Sequence, residues 1–234
     1  MKPLVVTFDA ANTLVRVHWT PGGFALDCAR AVGLDLGDEE RGVYEKSLRS
    51  RWSEYQEINA SRDPELGDAF WYRLTQDWLD AIGQPPQLAV EIKAIAPNLL
   101  YGKSSAMFEL FDDVVPTLDA LDAFGIRLGV ISNWDYSLHR VLEALEVHNR
   151  FEHVIASLEE GVEKPHPRLF QLALARFGVD SSRAAHVGDD PVDDFRGAQD
   201  SGMGAYLIDR GHSETRGLVL ARLTDLITIL EQID

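Results

Sequence analysis

The sequence predicts an α/β protein, a doubly wound parallel sheet with a helical domain inserted after its first strand. Three observations carry that prediction. From about Leu110 to the C-terminus, short apolar runs alternate with helical patterns. A further apolar run, residues 5–8, stands apart near the N-terminus. Between them, residues 16–100 show helical periodicity and no convincing strand. The expected division is therefore a core of residues 1–15 and 101–234, with 16–100 as the insert.

Each element has a local cause. The strand at 5–8 ends abruptly on Asp9, followed by Ala10-Ala11-Asn12-Thr13. Amphipathic helices are expected at 23–32, stopped by Gly33, then at 39–58, 66–82 and 88–95, punctuated by Gly83-Gln84-Pro85-Pro86 and Pro97-Asn98. Trp52, Tyr55, Phe70, Trp71, Leu74 and Trp78 recur at helical spacing, the mark of packing between these helices. In the core, helix 116–124 stops at Gly125 and strand 127–131 ends on Ser132-Asn133. Helix 136–145, strand 153–156 and helix 167–177 follow, and strand 184–187 ends on Gly188-Asp189. Helix 191–201, strand 204–208 and a closing helix at 217–233 complete the chain, the last with Leu220, Leu223, Ile227 and Leu230 on one face.

Composition narrows the function. With 45% hydrophobic and 26% charged residues the chain reads as an ordinary soluble protein, and no apolar run approaches a membrane span. The N-terminus Met1-Lys2-Pro3 lacks the pattern of a secretory signal, so a cytoplasmic location is expected. One cysteine, Cys28, excludes a disulfide framework or a cysteine-built zinc site. A net charge of −16 disfavours nucleic acid and anionic membranes as partners, yet permits a small anionic substrate where positive charge is gathered locally. The sequence sets no oligomeric state.

In an open α/β sheet, chemistry lies beyond the carboxyl ends of the strands, and four stretches put suitable residues there. Asp9 is a carboxylate at the end of a buried strand. Ser132 and Asn133 can donate hydrogen bonds to an anionic oxygen. In Glu163-Lys164-Pro165-His166-Pro167, Pro167 suits a first helical turn and Pro165 stiffens the loop, so Lys164 is a candidate fixed cation. The run Gly188-Asp189-Asp190-Pro191-Val192-Asp193-Asp194 contains helix grammar, with Asp190 as N-cap, Pro191 as first helical residue and Asp193 in the first turn. Its four acids exceed what a cap requires, and oxygen-only ligands suit Mg²⁺, with Asp189 the better aimed. Each stretch taken singly also reads as a turn, a cap or an exposed charge.

Together, in this order, the stretches make the chain resemble the haloacid dehalogenase superfamily of hydrolases, in the branch with a helical cap between the first two motifs. Ser132-Asn133-Trp134-Asp135, Lys164-Pro165-His166-Pro167 and Gly188-Asp189-Asp190 are most similar to the subgroup related to rhythmically expressed gene products. The resemblance implies a Rossmann-like core and a mobile cap that excludes water. It implies Asp9 as nucleophile, Lys164 as neutralising cation, and Ser132 and Asn133 on the phosphoryl oxygens, with Thr13 and Trp134 also on the substrate side. It implies Mg²⁺ held by Asp9, Asp189, Asp194 and the backbone carbonyl of Ala11, and a small phosphorylated metabolite as substrate.

One departure bears on the reaction. Phosphatases of the family usually read Asp-x-Asp-Gly-Thr, the second Asp being the general acid and base; here that position is Ala11 and the glycine is Asn12. A substrate whose leaving group is a weak base depends less on such an acid, so acyl, enol or aryl phosphates are expected over simple alkyl phosphates. Two alternatives stay open at this point. One is a hydrolase of the dehalogenase or phosphonatase type, and the other a phosphate- and Mg²⁺-binding regulator without turnover.

Overall fold

β1 (Val5–Phe8) has all four residues buried, as a strand covered on both faces must. The computed structural model describes residues 2–212 and 214–233 of the chain. These divide into two compact units, Met1–Val17 with Glu109–Asp234, and His18–Phe108. β2 (Val15–Val17) closes the first segment of the sheet-bearing unit.

The second unit is helical. α1 (Pro21–Ala31) starts on Thr20, whose hydroxyl accepts from the Gly23 amide. α2 (Asp38–Ser50) and α3 (Trp52–Ala60) are separate helices, where one helix over 39–58 was expected. The break falls at Arg51, which leaves helical geometry (φ −111, ψ 11) while its guanidinium pairs with Asp77. No glycine or proline marks that break. α4 (Pro64–Ala81) begins with Asp63 as N-cap and buries Phe70, Leu74 and Trp78 along one stripe. The Trp78 indole N–H donates to the Glu40 carbonyl at 2.8 Å and its ring meets Tyr44 edge-on at 5.3 Å, tying α4 to α2. α5 (Leu88–Tyr101) runs through Pro97, which was expected to end it. Proline removes one N–H bond there, and the flanking turns carry the helix on.

β3 (Phe108–Leu110), whose last two residues belong to the sheet-bearing unit, pairs with β2 in a two-stranded sheet. α6 (Val114–Ala123), β4 (Arg127–Ser132), α7 (Ser137–Ala144) and β5 (His153–Ala156) follow. Next come α8 (Ser157–Glu160), α9 (Pro167–Phe177) and β6 (Ala184–Gly188). α9 is capped by His166 and ends on Gly178 at φ 63, burying Leu169, Phe170, Ala173 and Phe177 against the sheet. A widened π turn, Pro191–Arg196, precedes α10 (Gly197–Asp200) where a plain helix was expected. β7 (Gly204–Ile208) leads to β8 (Val219–Leu220) and α11 (Asp225–Glu231), so the expected closing helix over 217–233 is instead a strand and a shorter helix. Short apolar runs such as this one serve either element.

The main sheet is six-stranded and parallel, in the order β5-β4-β1-β6-β7-β8. β1 thus lies between β4 and β6, where the strand order turns back on itself, the position at which open α/β sheets form their crevice. Among the described residues no helix is long and apolar enough to cross a membrane.

Candidate active site

The register of the three central strands brings their ends together. Phe8 of β1 is level with Val130 of β4 and Val187 of β6. Asp9, Ser132 and Asp189 therefore emerge at one edge of the sheet. Asp9 is buried, and its Oδ1 accepts from the Ser132 hydroxyl at 2.9 Å and from Lys164 Nζ at 2.6 Å. Oδ2 meets no hydrogen-bond donor among the described residues.

Lys164 is 4% exposed and reaches this point from the segment before α9. Its ammonium lies between two buried carboxylates, Asp9 and Asp194. Burial opposes its charge, but the two carboxylates outweigh burial and hold its pKa above the ordinary lysine value. Asn133 fixes the lysine's backbone from both sides: its Oδ1 accepts from the Lys164 amide at 2.8 Å and its Nδ2 donates to the Lys164 carbonyl at 3.0 Å. The same Nδ2 donates to Asp193 at 3.2 Å. The side chain of Asn133 is thus engaged in holding Lys164, a use that its place at a strand end does not reveal.

Asp194 is turned inward by the widened turn. Asp190 caps that turn, its Oδ1 accepting from the amides of Val192 and Asp193 at 2.7 Å each, as the Asp-Pro pair predicts. Asp194 Oδ2 accepts from the Asp190 amide at 3.0 Å, and its Oδ1 from Lys164 and from His186 Nε2 at 3.0 Å. Burial alone would raise its pKa; the His186 hydrogen bond and the Lys164 charge prevail and hold it below the usual carboxylate range. Gly188 makes room for it, since a Cβ at that position would lie 2.1 Å from Asp194 Cγ.

His186 and Thr7 were not singled out from sequence. They are register partners on β6 and β1, both 1% exposed, with Thr7 Oγ1 2.9 Å from His186 Nδ1. Burial holds His186 below its ordinary pKa. The neutral ring donates from Nε2 to Asp194 and accepts the Thr7 hydroxyl at Nδ1, because a carboxylate only accepts. One signal for the pair was available, a polar residue in the middle of each of two otherwise apolar strands.

The remaining candidates are placed less directly. The Thr13 hydroxyl, fully buried, donates to Asp189 Oδ1 at 3.4 Å. Ala11 is half-buried and bridges to Val15, and its methyl offers no proton donor. The Trp134 indole N–H donates to Ser137 at 3.0 Å at the start of α7, and its carbonyl accepts from Leu158.

Asp9, Asp189 and Asp194 each offer an oxygen within 4.8 Å of the others and form the group able to hold a metal ion. Three carboxylates face one ammonium beside a neutral histidine, a surplus of two negative charges that matches a divalent cation. The electrostatics register the surplus. Burial pushes Asp9 above its usual value, against Lys164, and burial with the charges of Asp9 and Asp194 pushes Asp189 up to about 6. An all-oxygen donor set of this kind fits a hard cation.

A model of the haloacid dehalogenase-like hydrolases matches residues 4–202. The human haloacid dehalogenase-like hydrolase domain-containing protein 3 is 31% identical over 210 residues, 87% of this chain and 81% of that protein. The phosphoserine phosphatase of Thermus thermophilus is 30% identical over 216 residues, covering 90% and 85%. Among solved structures, a 2-haloacid dehalogenase from Pseudomonas syringae pv. tomato superposes with a TM-score of 0.70 at 26% identity, with both chains covered in full.

Proposed function

The chain belongs to the haloacid dehalogenase-like hydrolases, and from that premise we propose a Mg²⁺-dependent phosphohydrolase that acts on a small phosphorylated metabolite through an aspartyl-phosphate on Asp9. The observation that carries this reading is the asymmetry of Asp9: Oδ1 is held by Ser132 and Lys164 while Oδ2 meets no donor among the described residues. Oδ2 is the attacking oxygen. It forms a bond to phosphorus as the bond to the leaving oxygen breaks, and the leaving group departs with the electron pair. Lys164, fixed by Asn133 and Asp194, balances charge on Asp9 and on the incoming phosphoryl group. Ser132 holds the nucleophile's second oxygen and so sets its angle of attack. Water then attacks phosphorus, the Asp9 carboxylate is released, and the water's proton passes to the departing phosphate.

Asp9, Asp189 and Asp194 would hold Mg²⁺ with the Ala11 carbonyl, and the ion's contribution when bound is to let carboxylate and phosphate, both anionic, approach. Ala11 cannot protonate a leaving group. Acyl, enol and aryl phosphates, whose leaving groups are weak bases, are therefore the favoured substrates. The helical insert takes the part of the selectivity-setting cap. Metal-free attack on carbon fits less well, because it leaves Asp189 facing the charges of Asp9 and Asp194 uncompensated.

The test is release of phosphate from acetyl phosphate, p-nitrophenyl phosphate and glycerol phosphate by purified protein with Mg²⁺. Release is expected from the first two, with none in Asp9→Asn. Undiminished release by Asp9→Asn would remove the nucleophile. No release from any substrate, together with Mg²⁺-dependent binding of a phosphate mimic, would make the protein a binder.

A further inference from the structure

Arg210 follows β7, and no step described so far uses it. Its guanidinium makes contacts in several directions at once. Nη1 donates to Asp113 Oδ2 at 2.9 Å and Nη2 to Asp113 Oδ1 at 3.1 Å. Nη2 also donates to the Thr13 carbonyl at 2.7 Å, and Nε to the Asn12 carbonyl at 3.3 Å. Its flat face lies 3.6 Å from the centroid of the Phe111 ring. Asp113 is 3% exposed and is itself held by the Leu223 amide at 2.8 Å, so the clamp is anchored in the core on its far side.

The loop it grips begins three residues after the nucleophile. Asn12 sits in the left-handed region at φ 56, a conformation that persists in a non-glycine residue when its surroundings over-determine it. Two successive carbonyls face one cation, so Arg210 grips the turn by its main chain. Thr13 then meets Asp189.

We propose that Arg210 is a positioning residue for the proposed phosphohydrolase reaction, on which this inference rests. Through the Asn12 and Thr13 carbonyls it sets the main chain at Ala11 and the Thr13 hydroxyl, and so keeps the Asp9 and Asp189 carboxylates converging on one point. Arginine is required because a planar fork can stack on Phe111, grip a carboxylate with two nitrogens and still reach both carbonyls. Lysine presents its donors from a single atom and cannot.

The experiment compares wild type, Arg210→Lys, Arg210→Gln and a control, Thr215→Ala. The control loosens the Thr215 contacts to Asp225 and Ala221 without touching the loop. Mg²⁺ affinity is read by calorimetry on folded protein, p-nitrophenyl phosphate hydrolysis by kcat and KM, and stability by Tm. Supporting groups of this kind move metal affinity by about 10–100-fold. Both Arg210 variants are expected to bind Mg²⁺ at least about tenfold more weakly, with kcat reduced about tenfold and KM within about twofold. Thr215→Ala is expected to keep wild-type Mg²⁺ affinity whatever its Tm. Wild-type Mg²⁺ affinity in Arg210→Lys, or an equal loss in Thr215→Ala, overturns the inference, and Arg210→Lys decides alone if Arg210→Gln does not fold. A wild type that binds Mg²⁺ but releases no phosphate sinks the phosphohydrolase reading and leaves the affinity comparison intact. A wild type that binds no Mg²⁺ sinks both.

Discussion

Replacing Lys164 by Met removes the ammonium between Asp9 and Asp194 while nearly preserving the volume of the side chain. The lysine side chain and that of Asp194 are each 2% exposed, so water cannot take over its role. Asp9 and Asp194 then face each other with oxygens within 4.8 Å, a repulsion of about 3.5 kcal/mol at an effective dielectric of about 20. Breaking buried ion pairs elsewhere costs about 3–5 kcal/mol, which agrees. At about 2–4 °C per kcal/mol for a chain of this size, Tm is expected to fall by about 6–20 °C in metal-free buffer. Asp9, whose carboxyl burial already raises, can relieve the repulsion by taking up a proton. A carboxyl raised in the folded state binds its proton more tightly folded than unfolded. The variant's deficit is therefore smallest near or below the unfolded value of about 4 and grows as pH rises through the raised value. Urea melts of both proteins at pH 5 and pH 8, with and without Mg²⁺, measure this. The gap is expected to be larger at pH 8, and Mg²⁺ is expected to recover part of it. A gap below about 1 kcal/mol at pH 8, or one that does not narrow at pH 5, would refute the placement of Lys164 as the charge that joins the two acids.

Three further outcomes follow from the same geometry. Ala11→Asp restores a side-chain acid and is expected to raise the ratio of glycerol phosphate to p-nitrophenyl phosphate turnover by about 10²-fold, read from kcat/KM for each. Gly188→Ala puts a methyl group 2.1 Å from Asp194 Cγ; expelling that carboxylate costs about 1–3 kcal/mol in overpacking and weakens Mg²⁺ binding, seen by thermal melts and calorimetry, and wild-type behaviour in both would contradict the contact. Cys28 is buried in α1, where burial and then Asp27 push its thiol up to about 12, so iodoacetamide at pH 8 is expected to label it only at the rate at which the helical unit opens, and labelling as fast as in urea would contradict its burial.

Asp9, Ser132 and Asp189 were legible in the sequence because each is covalently next to a short apolar run, and in a parallel sheet a strand's end is the site's edge. Lys164 was legible because Pro165 and Pro167 leave a stiff loop with one unexplained cation. Partners made across the sheet were not legible. Nothing local in Ala184–Gly188 says that His186 faces Thr7, and Asp194 was reached through the family resemblance alone, since its inward direction depends on a widened turn. The contact of the Asn133 amide with a peptide group 31 residues away was equally illegible, since nothing beside Ser132-Asn133 in sequence announces it. Arg210 lies between Asp209 and Gly211 with no periodicity to mark it, and its meaning depends on carbonyls at Asn12 and Thr13. The missed strands share a cause: β2, β3 and β8 span two or three residues, too few for a period to show.

The place of β1 in the sheet also sets an order of events. The strand is made before either of its two neighbours, β4 and β6, which lie more than a hundred residues downstream. Until both exist, Val5–Phe8 is an unpaired apolar ribbon with two open edges, the kind of segment that invites mispairing. Asp9 meets its lysine across 155 positions of chain, and that lysine meets Asp194 only 30 residues further on. Contacts of such separation close late. The polar centre thus depends on synthesis having reached β6 and the turn after it: a nascent polypeptide that stops short of them holds a carboxylate at the end of β1 without Asp194 to complete the cluster.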